Sequence, residues 1–407
     1  MRRLVALAGA FALAVATSAA TQAQTLKLER VVVVMRHGVR PPTEENDKLR
    51  RWSDQDWPTW PVKAGELTPH GGETVRLMGA TLREAYRAKG LLPAAGCAAP
   101  HAVTVWGDGA DQRTQKTGEI LAEALQPGCG VKAPFQPTPE GGARDPIFGG
   151  YRDGPCSISA QQRALFAPLE TSDEERTKLL AATDRLQAIF APEACDGGQG
   201  TCFILTGPAP GGVFPGTGSL AEDLLLEYAE GMPMKDVGWG RSGVAGILAV
   251  MPLHERGYEV LRANTAATSK IGSAMARVIF DALNGRPTTG GPESGPDLKL
   301  MGLAGHDTNL ALMASLFGLT WTLPGEPDGT APSTALAFEL WSDGTTQYVK
   351  PVIYYETLDQ LRTLTPAAAK SVPLSFAGCD DGPMGSCRLA TIEPKVEAML
   401  PTDCTIS

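Results

Sequence analysis

Two arginines bracket a histidine in the segment VVVVMRHGVRPPT, which covers residues 31–43. The guanidinium groups of Arg36 and Arg40 are planar and permanently charged, and they match phosphate oxygens in bidentate geometry. Because both neighbours are positive, the pKa of His37 is expected to be lowered, which keeps its imidazole neutral and nucleophilic. The segment therefore predicts an anion site with a built-in nucleophile. The alternative is an exposed loop whose cations pair with local acids.

A second reactive pair, His306 and Asp307, lies in GHDTN at the predicted start of a helix. A helix N-terminus offers free N–H groups and the positive end of the helix dipole, which suits an anion. His306 can donate a hydrogen bond to a phosphate oxygen. Asp307 can protonate a leaving alkoxide, provided that it is itself protonated when the substrate binds. The alternative is that Asp307 or Thr308 only caps the helix.

A third cation, Arg113, lies in DQRTQKTG, in the first turn of another predicted helix. A positive charge at this end of a helix opposes the helix dipole and is mildly unfavourable. A bound anion nearby would explain its position. A partner carboxylate such as Asp108 or Asp111 would explain it equally well, so the sequence leaves the two roles open.

Each of these reactive turns follows a predicted strand, at residues 30–35, 101–106 and 298–304. Continuous apolar strands followed by helices indicate a parallel sheet that is covered on both faces. In such sheets the ligand site lies beyond the carboxyl ends of the strands. The sequence therefore predicts an α/β fold, a mostly parallel sheet flanked by helices, with the three turns converging at one edge.

The middle of the chain has a different pattern, since helical periodicity dominates at residues 171–190 and 219–231. We therefore predict a mostly helical insertion over residues 156–261, within an α/β domain formed by residues 24–155 and 262–407. Residues 334–355 are typical of a β-hairpin that turns at Asp343-Gly344.

The N-terminus is expected to be a cleaved secretory signal peptide over residues 1–23. Arg2 and Arg3 precede an apolar run and then small residues, the layout of such a peptide, although an N-terminal anchor helix is the alternative. No later segment is long and apolar enough to cross a bilayer, so we expect no membrane partner. The formal net charge of −9 argues against nucleic acid as the main partner.

Eight cysteines in an exported chain indicate disulfides, because export implies an oxidising compartment. None lies in a CxxC motif or near a histidine pair, so no metal site is expected. Two pairs are local, Cys195 with Cys202 and Cys379 with Cys387. Cys97 and Cys129 flank one predicted strand–helix unit, which leaves Cys156 and Cys404. Spacing alone leaves this connectivity open.

RHGVRPPT and GHDTN together resemble the motifs of the histidine acid phosphatases, in particular their bacterial periplasmic branch of phytases and glucose-1-phosphatases. The resemblance covers essentially the whole mature chain, with further matches at WPTWPVKAGELTPHGG, DQRTQKTG, EGMP, GWGR and WTLPGEPD. It implies a phosphoglycerate-mutase-like fold, a periplasmic location, a monomer, a small phosphate ester as substrate and no cofactor. It also implies that His37 attacks phosphorus and becomes a phosphohistidine, while Asp307 protonates the leaving group.

The resemblance assigns further residues. It implies the disulfides Cys97–Cys129, Cys156–Cys404, Cys195–Cys202 and Cys379–Cys387. Glu222 matches a substrate-pocket glutamate of the bacterial branch, but Ser219 and Glu222 also have the spacing of a capping box at a helix start. The side chains implied to hold the phosphate are those of Arg36, Arg40, Thr43, Arg113 and His306.

The sequence does not decide between phytate and a sugar phosphate as the substrate. Phytases of this branch commonly place a lysine directly after the threonine of RHGxRxPT, whereas this chain has Glu44, with Lys48, Arg50 and Arg51 nearby. Glu44 argues against phytate, but GHDTN and RHGVR are more similar to the motifs of the phytases than to those of the glucose-1-phosphatases. We expect a phytase or broad acid phosphatase, with a sugar phosphatase such as a glucose-1-phosphatase as the alternative. A mutase of the wider superfamily is disfavoured by export, and a periplasmic phosphate-ester binding protein has no need of a nucleophile and an acid.

Overall fold

A mixed β-sheet carries the three reactive turns. The computed structural model describes residues 26–138, 144–149, 171–203, 216–288, 290–366 and 369–402. The strands within these ranges are β1 Lys27–Arg36, β2 Val103–Gly107, β3 Leu300–Gly305, β4 Ala335–Ser342, β5 Gln347–Tyr355, β6 Lys370–Pro373 and β7 Cys387–Arg388.

The strands that end at the reactive turns are parallel neighbours. The strand order is β2-β3-β1-β4-β5-β6, with β7 paired to β5. β1 and β2 both run parallel to β3, as the sequence predicts. The hairpin predicted over residues 334–355 forms β4 and β5, and it extends the sheet as antiparallel strands beyond β1. The described sheet is therefore mixed, with its parallel part at the reactive edge.

The long apolar run of β1 follows from burial on both faces of the sheet. Val32 and Val34 belong to one hydrophobic core, whereas Val31, Val33 and Met35 belong to another on the opposite face. Because successive side chains of a strand point to opposite faces, a strand covered on both sides needs apolar residues at every position.

Helices cover both faces of the sheet, and those that contain Arg113 and Asp307 begin where the sequence predicts. The helices of residues 69–88 and 112–125 pack on one face. The helices of residues 273–284, 307–317 and 389–397 pack on the other. The helices are α1 Asn46–Leu49, α2 Pro69–Ala88, α3 Gln112–Leu125, α4 Pro146–Gly149, α5 Asp173–Phe190, α6 Thr217–Ala229, α7 Gly243–Ala263, α8 Thr265–Ile271, α9 Ser273–Asn284, α10 Asp307–Phe317, α11 Leu358–Thr363 and α12 Leu389–Glu397.

Helices α5, α6 and α7 lie in the predicted insertion and share a separate hydrophobic core. Leu186 and Phe190 of α5 contribute to this core, as do Leu225 of α6 and Ile247 of α7. The proposed domain division stays a prediction, since its first boundary lies outside the described residues and its second falls in the last turn of α7.

Three disulfides are formed, Cys97–Cys129, Cys195–Cys202 and Cys379–Cys387, as the resemblance implies. Cys156, Cys404 and the predicted signal peptide lie outside the described residues. Among the helices of the described ranges, none combines the length and apolarity needed to cross a membrane.

Gly38, which follows His37, is in close contact with the first turn of α2. A β-carbon built on Gly38 would lie 2.1 Å from the carbonyl oxygen of Gly71. Gly38→Ala is therefore expected to lower the free energy of unfolding by about 1–3 kcal/mol, because the backbone of α2 must move. Urea unfolding checks this, with Gly257→Ala as the control, since Gly257 lies exposed in α7 with nothing within 4 Å of its position. A wild-type midpoint for Gly38→Ala would contradict the prediction.

Candidate active site

The carboxyl ends of β1, β2 and β3 bring the three reactive turns together. Arg36 lies beside Gly305 in the sheet register, and Gly107 lies beside Ala304. Beyond these strand ends is a cavity of about 490 Å³, here called the main cavity. It is lined by His37, Arg40, Thr43, Ala64, Gly65, Asp108, Asp111, Arg113, Arg144, Phe148, Gly149, His306, Asp307, Thr308 and Asn309.

His37 is held as a neutral imidazole with one nitrogen free. Its ring is 1% exposed, and Nδ1 lies 2.8 Å from the carbonyl oxygen of Gly38. Because a carbonyl oxygen can only accept, Nδ1 carries the proton and Nε2 keeps its lone pair. Burial, followed by Arg113, Arg36 and other positive neighbours, lowers the pKa of His37 well below its usual value. Burial is therefore a larger cause of this shift than the neighbouring arginines that the sequence indicates.

Arg36 is fully buried and is fixed by partners from distant parts of the chain. Its Nη1 donates to Asp328 Oδ2 at 2.9 Å and to the carbonyl oxygen of Thr330 at 2.6 Å. Its Nη2 binds Glu222 and lies 3.2 Å from Asp307 Oδ2. Burial opposes the charged form, but these carboxylates raise the pKa of Arg36 above its usual value. The guanidinium is therefore a fixed positive charge beside His37.

Glu222 binds both arginines of the RHGVR turn. It binds Arg36 Nη2, and its Oε2 accepts from Arg40 Nη2 at 3.2 Å. Burial opposes its ionisation, but Arg40 and Arg36 lower the pKa of Glu222. Helix α6 begins at Thr217, after Gly216 as N-cap and with no side-chain cap, so the alternative capping box of Ser219 and Glu222 is not formed.

Arg113 and His306 meet at the wall of the main cavity. Arg113 Nη2 lies 3.1 Å from Asp111 Oδ2 and 3.1 Å from His306 Nε2, and Nη1 donates to the carbonyl oxygen of Gly65. His306 Nε2 is 3.0 Å from Asp111 Oδ2. Both sequence alternatives for Arg113 therefore coexist, because it pairs with Asp111 and also faces the cavity. A bound phosphate would compete with Asp111 for these donors.

Asp307 uses its two carboxylate oxygens differently. Oδ1 accepts from the backbone N–H of Thr308 at 2.6 Å at the start of α10, and Oδ2 lies 3.2 Å from Arg36 Nη2. The N-cap of α10 is His306, whose backbone N–H donates to Asn309 Oδ1 at 2.8 Å, so the alternative that Asp307 or Thr308 only caps the helix is wrong. Burial opposes the ionised form, but Arg36, followed by other positive neighbours, lowers the pKa of Asp307 below its usual range. Asp307 is consequently a carboxylate in the free site.

A smaller cavity of about 170 Å³, here called the side cavity, shares Arg40 and Thr43 with the main cavity. Thr43 is exposed at their junction. At the far wall, Glu44 Oε2 accepts from Arg51 Nη2 at 2.6 Å, and the Arg51 guanidinium lies 4.6 Å from the centre of the Trp52 ring. Lys48 and Arg50 are exposed and do not line either cavity. Of the three cations near Glu44, only Arg51 therefore reaches the side cavity.

The support behind Arg36 leaves no signal in the sequence motifs, which give no role to His70, His101 or His254. His254 is buried, with Nε2 3.6 Å from Asp328 Oδ1 and Nδ1 3.2 Å from the carbonyl oxygen of Gly218. Burial opposes protonation, but Asp328 raises the pKa of His254 to about 9. His254 therefore connects α6 to the carboxylate that holds Arg36.

Tyr258 is a further residue that the sequence did not identify. Its ring lies 5.1 Å from that of His254, and burial and the Asp307 carboxylate raise its pKa well above the usual value. A usable signal existed, because residues four apart on a helix share a face, which places His254 and Tyr258 on the same side of α7.

His70 and His101 lie outside this support of Arg36. His70 binds the carbonyl oxygen of Leu361, and His101 is exposed beside Glu293.

Three groups in the described part of the chain have ligand atoms close enough to surround a cation. Cys379, Asp381 and Cys387 form one of them, but its two cysteines are joined in a disulfide and offer no thiolate. Two groups remain. One comprises Asp108, Asp111 and His306, and the other His254, Glu255 and Asp328. Arg113 and Arg144 contact the first group, and Arg36 contacts the second. These permanent positive charges would repel a metal ion, so the arrangement favours an anion.

Comparisons with known proteins agree with this geometry. Residues 27–182 match the family model described as the histidine phosphatase superfamily (branch 2). Phytase AppA of Escherichia coli is 33% identical, covering 92% of this chain and 93% of that protein. The glucose-1-phosphatase of Salmonella typhimurium is 28% identical, covering 95% of each.

A solved structure is similar in fold as well. The phytase of Hafnia alvei, in complex with myo-inositol hexakis sulphate, matches with a TM-score of 0.82 at 33% identity. The match covers 94% of this chain and 99% of that one. The expected family and fold are thus confirmed: the chain belongs to the histidine phosphatase superfamily (branch 2), among its histidine acid phosphatases, and is a phosphoric monoester hydrolase.

Proposed function

We propose that this enzyme hydrolyses phosphate monoesters through a covalent phosphohistidine at His37, with phytate among its substrates. The observation that carries the proposal is the neutral, buried His37, whose Nε2 is free at a cavity lined by Arg40 and Arg113. The similarity to the phytases of Escherichia coli and Hafnia alvei supports phytate as a substrate.

The first chemical step forms a bond between His37 Nε2 and phosphorus and breaks the bond from phosphorus to the ester oxygen. Asp307 gives a proton to that oxygen as the alcohol leaves. In the second step Asp307 takes a proton from a water molecule, whose oxygen displaces His37 and releases inorganic phosphate. The fixed charges that stabilise the transferring phosphoryl group are those of Arg36, Arg40, Arg113 and His306, with Thr43 as a further contact.

The proton for the first step has to arrive with the substrate, because Asp307 is ionised in the free site. A phosphate monoester loses its second proton at about pH 6. Its monoanion can therefore deliver one proton to Asp307 and bind as the dianion that the arginines favour. We therefore expect the enzyme to be active at acidic pH, where the monoanion is present.

A sugar-phosphate phosphatase is the second candidate. The ion pair of Glu44 with Arg51 favours it, because it neutralises the cation that would otherwise attract a further phosphate of a polyphosphate at the side cavity. The 28% identity with the glucose-1-phosphatase of Salmonella typhimurium is consistent with this candidate.

We further propose that the enzyme works as a monomer in the periplasm after removal of residues 1–23. The basic and then apolar N-terminal sequence and the three disulfides support export. The acidic chain is not expected to bind nucleic acid, and no cofactor is proposed.

Phosphate release at acidic pH in the presence of a chelator tests the proposal, with phytate, glucose 1-phosphate and an aryl phosphate as substrates. We expect turnover that the chelator does not reduce. The ratio of kcat/KM for phytate to that for glucose 1-phosphate decides between the two candidates. A folded enzyme that binds all three esters without releasing phosphate would instead be a receptor.

A further inference from the structure

The side cavity contains a carboxyl group to which the mechanism above gives no role. Asp223 follows Glu222 in α6, lines this cavity and is only 5% exposed. Its side chain has no hydrogen bond or ion pair with any other residue in the described ranges. Because Asp223 lines the cavity, its carboxyl group is available to a ligand or water molecule that occupies this space.

The chemical state of Asp223 fits a hydrogen-bond donor better than an anion. Burial, followed by the neighbouring Glu222 carboxylate, raises the pKa of Asp223 to about 8. At acidic pH the group is therefore a neutral carboxylic acid, which offers one O–H donor and one carbonyl acceptor. A hydroxyl group also offers one donor and accepts through its lone pairs, so the two are complementary.

The cations of the side cavity are already paired. Arg40 binds Glu222, and Arg51 binds Glu44. A second phosphate bound there would have to compete with these carboxylates, whereas an uncharged group would not. The volume of about 170 Å³ corresponds to roughly five water-sized groups, since a water molecule occupies about 30 Å³ in the liquid. This size suits part of a sugar or polyol.

We propose that Asp223 determines specificity by binding a hydroxyl group of the alcohol half of the substrate, while the phosphate lies beside His37. The geometry allows this because the side cavity and the main cavity meet at Arg40 and Thr43. The inference deepens the proposed phosphatase function and rests on it. It names hydroxyl-bearing phosphate esters, rather than fully phosphorylated polyols, as the class that the side cavity favours.

The test compares kcat/KM for glycerol 2-phosphate, whose alcohol carries hydroxyl groups, with that for phenyl phosphate, whose alcohol half carries none. Asp223→Leu is expected to lower the value for glycerol 2-phosphate about tenfold, the effect of losing one buried hydrogen bond. The value for phenyl phosphate should stay within about twofold of wild type, because that ester makes no such bond. Asp223→Asn keeps a donor and an acceptor, so it should retain the wild-type preference.

A matched control is available on the same helix. Glu227 is also buried with a pKa raised to about 8, mainly by burial, but it accepts from the backbone N–H of Gly238 and does not line the side cavity. Glu227→Gln should leave the ratio between the two esters unchanged. A change in this control equal to that in Asp223→Leu would mean that any buried acid of α6 alters the site, and it would overturn the inference.

Four other outcomes would also overturn it. Equal losses on both esters for Asp223→Leu would mean that Asp223 acts through Glu222, and wild-type values on both would mean that it has no role. With phytate assayed as a third substrate, a loss confined to phytate would mean that the side cavity binds a phosphate. If the folded wild-type enzyme released phosphate from neither ester, the proposed function itself would fail, and this inference would fail with it.

Discussion

His37→Ala is expected to lower kcat by at least about 10⁴-fold on every phosphate ester, because it removes the only atom that forms the covalent intermediate. The remaining arginines should still bind the ester, so KM should change far less than kcat. Phosphate release in the steady state measures the loss. A rapid quench into alkali, in which phosphohistidine is stable, measures the intermediate, which should be present in the wild type and absent in the variant.

His70→Ala is the control for this prediction. His70 is half-buried and, like His37, has a ring nitrogen close to a backbone carbonyl oxygen, but it does not line either cavity. Its variant should keep kcat within a few-fold of wild type. Residual turnover above about 1% in a folded His37→Ala protein would show that water attacks the ester directly, with the arginines alone providing catalysis.

The elements that carry the site were predictable from the sequence because their signals are local. Burial on both faces dictates the apolar run of β1. As expected, the helix after β2 begins close to Arg113, and the helix after β3 begins at His306-Asp307. Once three strands are parallel neighbours, their carboxyl ends must meet at one edge. The convergence of the reactive turns therefore required no knowledge of long-range contacts.

The partners of those residues were less predictable, because folding over long separations brings them together. Arg36 is bound by Glu222, 186 positions away, and by Asp328, 292 positions away. Neither pairing leaves a signal in the local spacing. For Glu222 the local signal even pointed elsewhere, since Ser219 and Glu222 have capping-box spacing, but α6 begins two residues before Ser219.

The ionisation states of His37 and Asp307 were likewise only partly predictable from the sequence. Neighbouring arginines correctly indicated the direction of the His37 pKa shift, but its main cause, burial, depends on the complete fold. For Asp307 the sequence required a protonated acid during turnover, whereas Arg36 keeps the free carboxyl ionised. The resting state of a catalytic acid thus depends on an ion pair that only the three-dimensional structure reveals.

Asp307→Asn is expected to slow the hydrolysis of esters with poor leaving groups far more than that of esters with good leaving groups. An amide cannot donate a full proton, so kcat for glycerol 2-phosphate should fall by about 10²–10⁴-fold, the usual contribution of a general acid. A nitrophenyl phosphate leaves as a stable anion that needs no proton, so its formation of the phosphoenzyme should fall less than about tenfold. Single-turnover rates on the two esters measure the difference, and equal losses on both would contradict the role of Asp307.

The ionised state of Asp307 leaves the second pKa of the substrate to set the upper limit of the pH profile. Because the pKa of Asp307 in the free site is low, the productive encounter joins the ionised enzyme with the ester monoanion. The value of kcat/KM should therefore be fully developed below the second pKa of the ester, about 6, and should fall about tenfold per pH unit above it. Two esters with different second pKa values should show this decline at correspondingly different pH. A decline at one common pH would mean that a group of the enzyme, and not the substrate, supplies the proton.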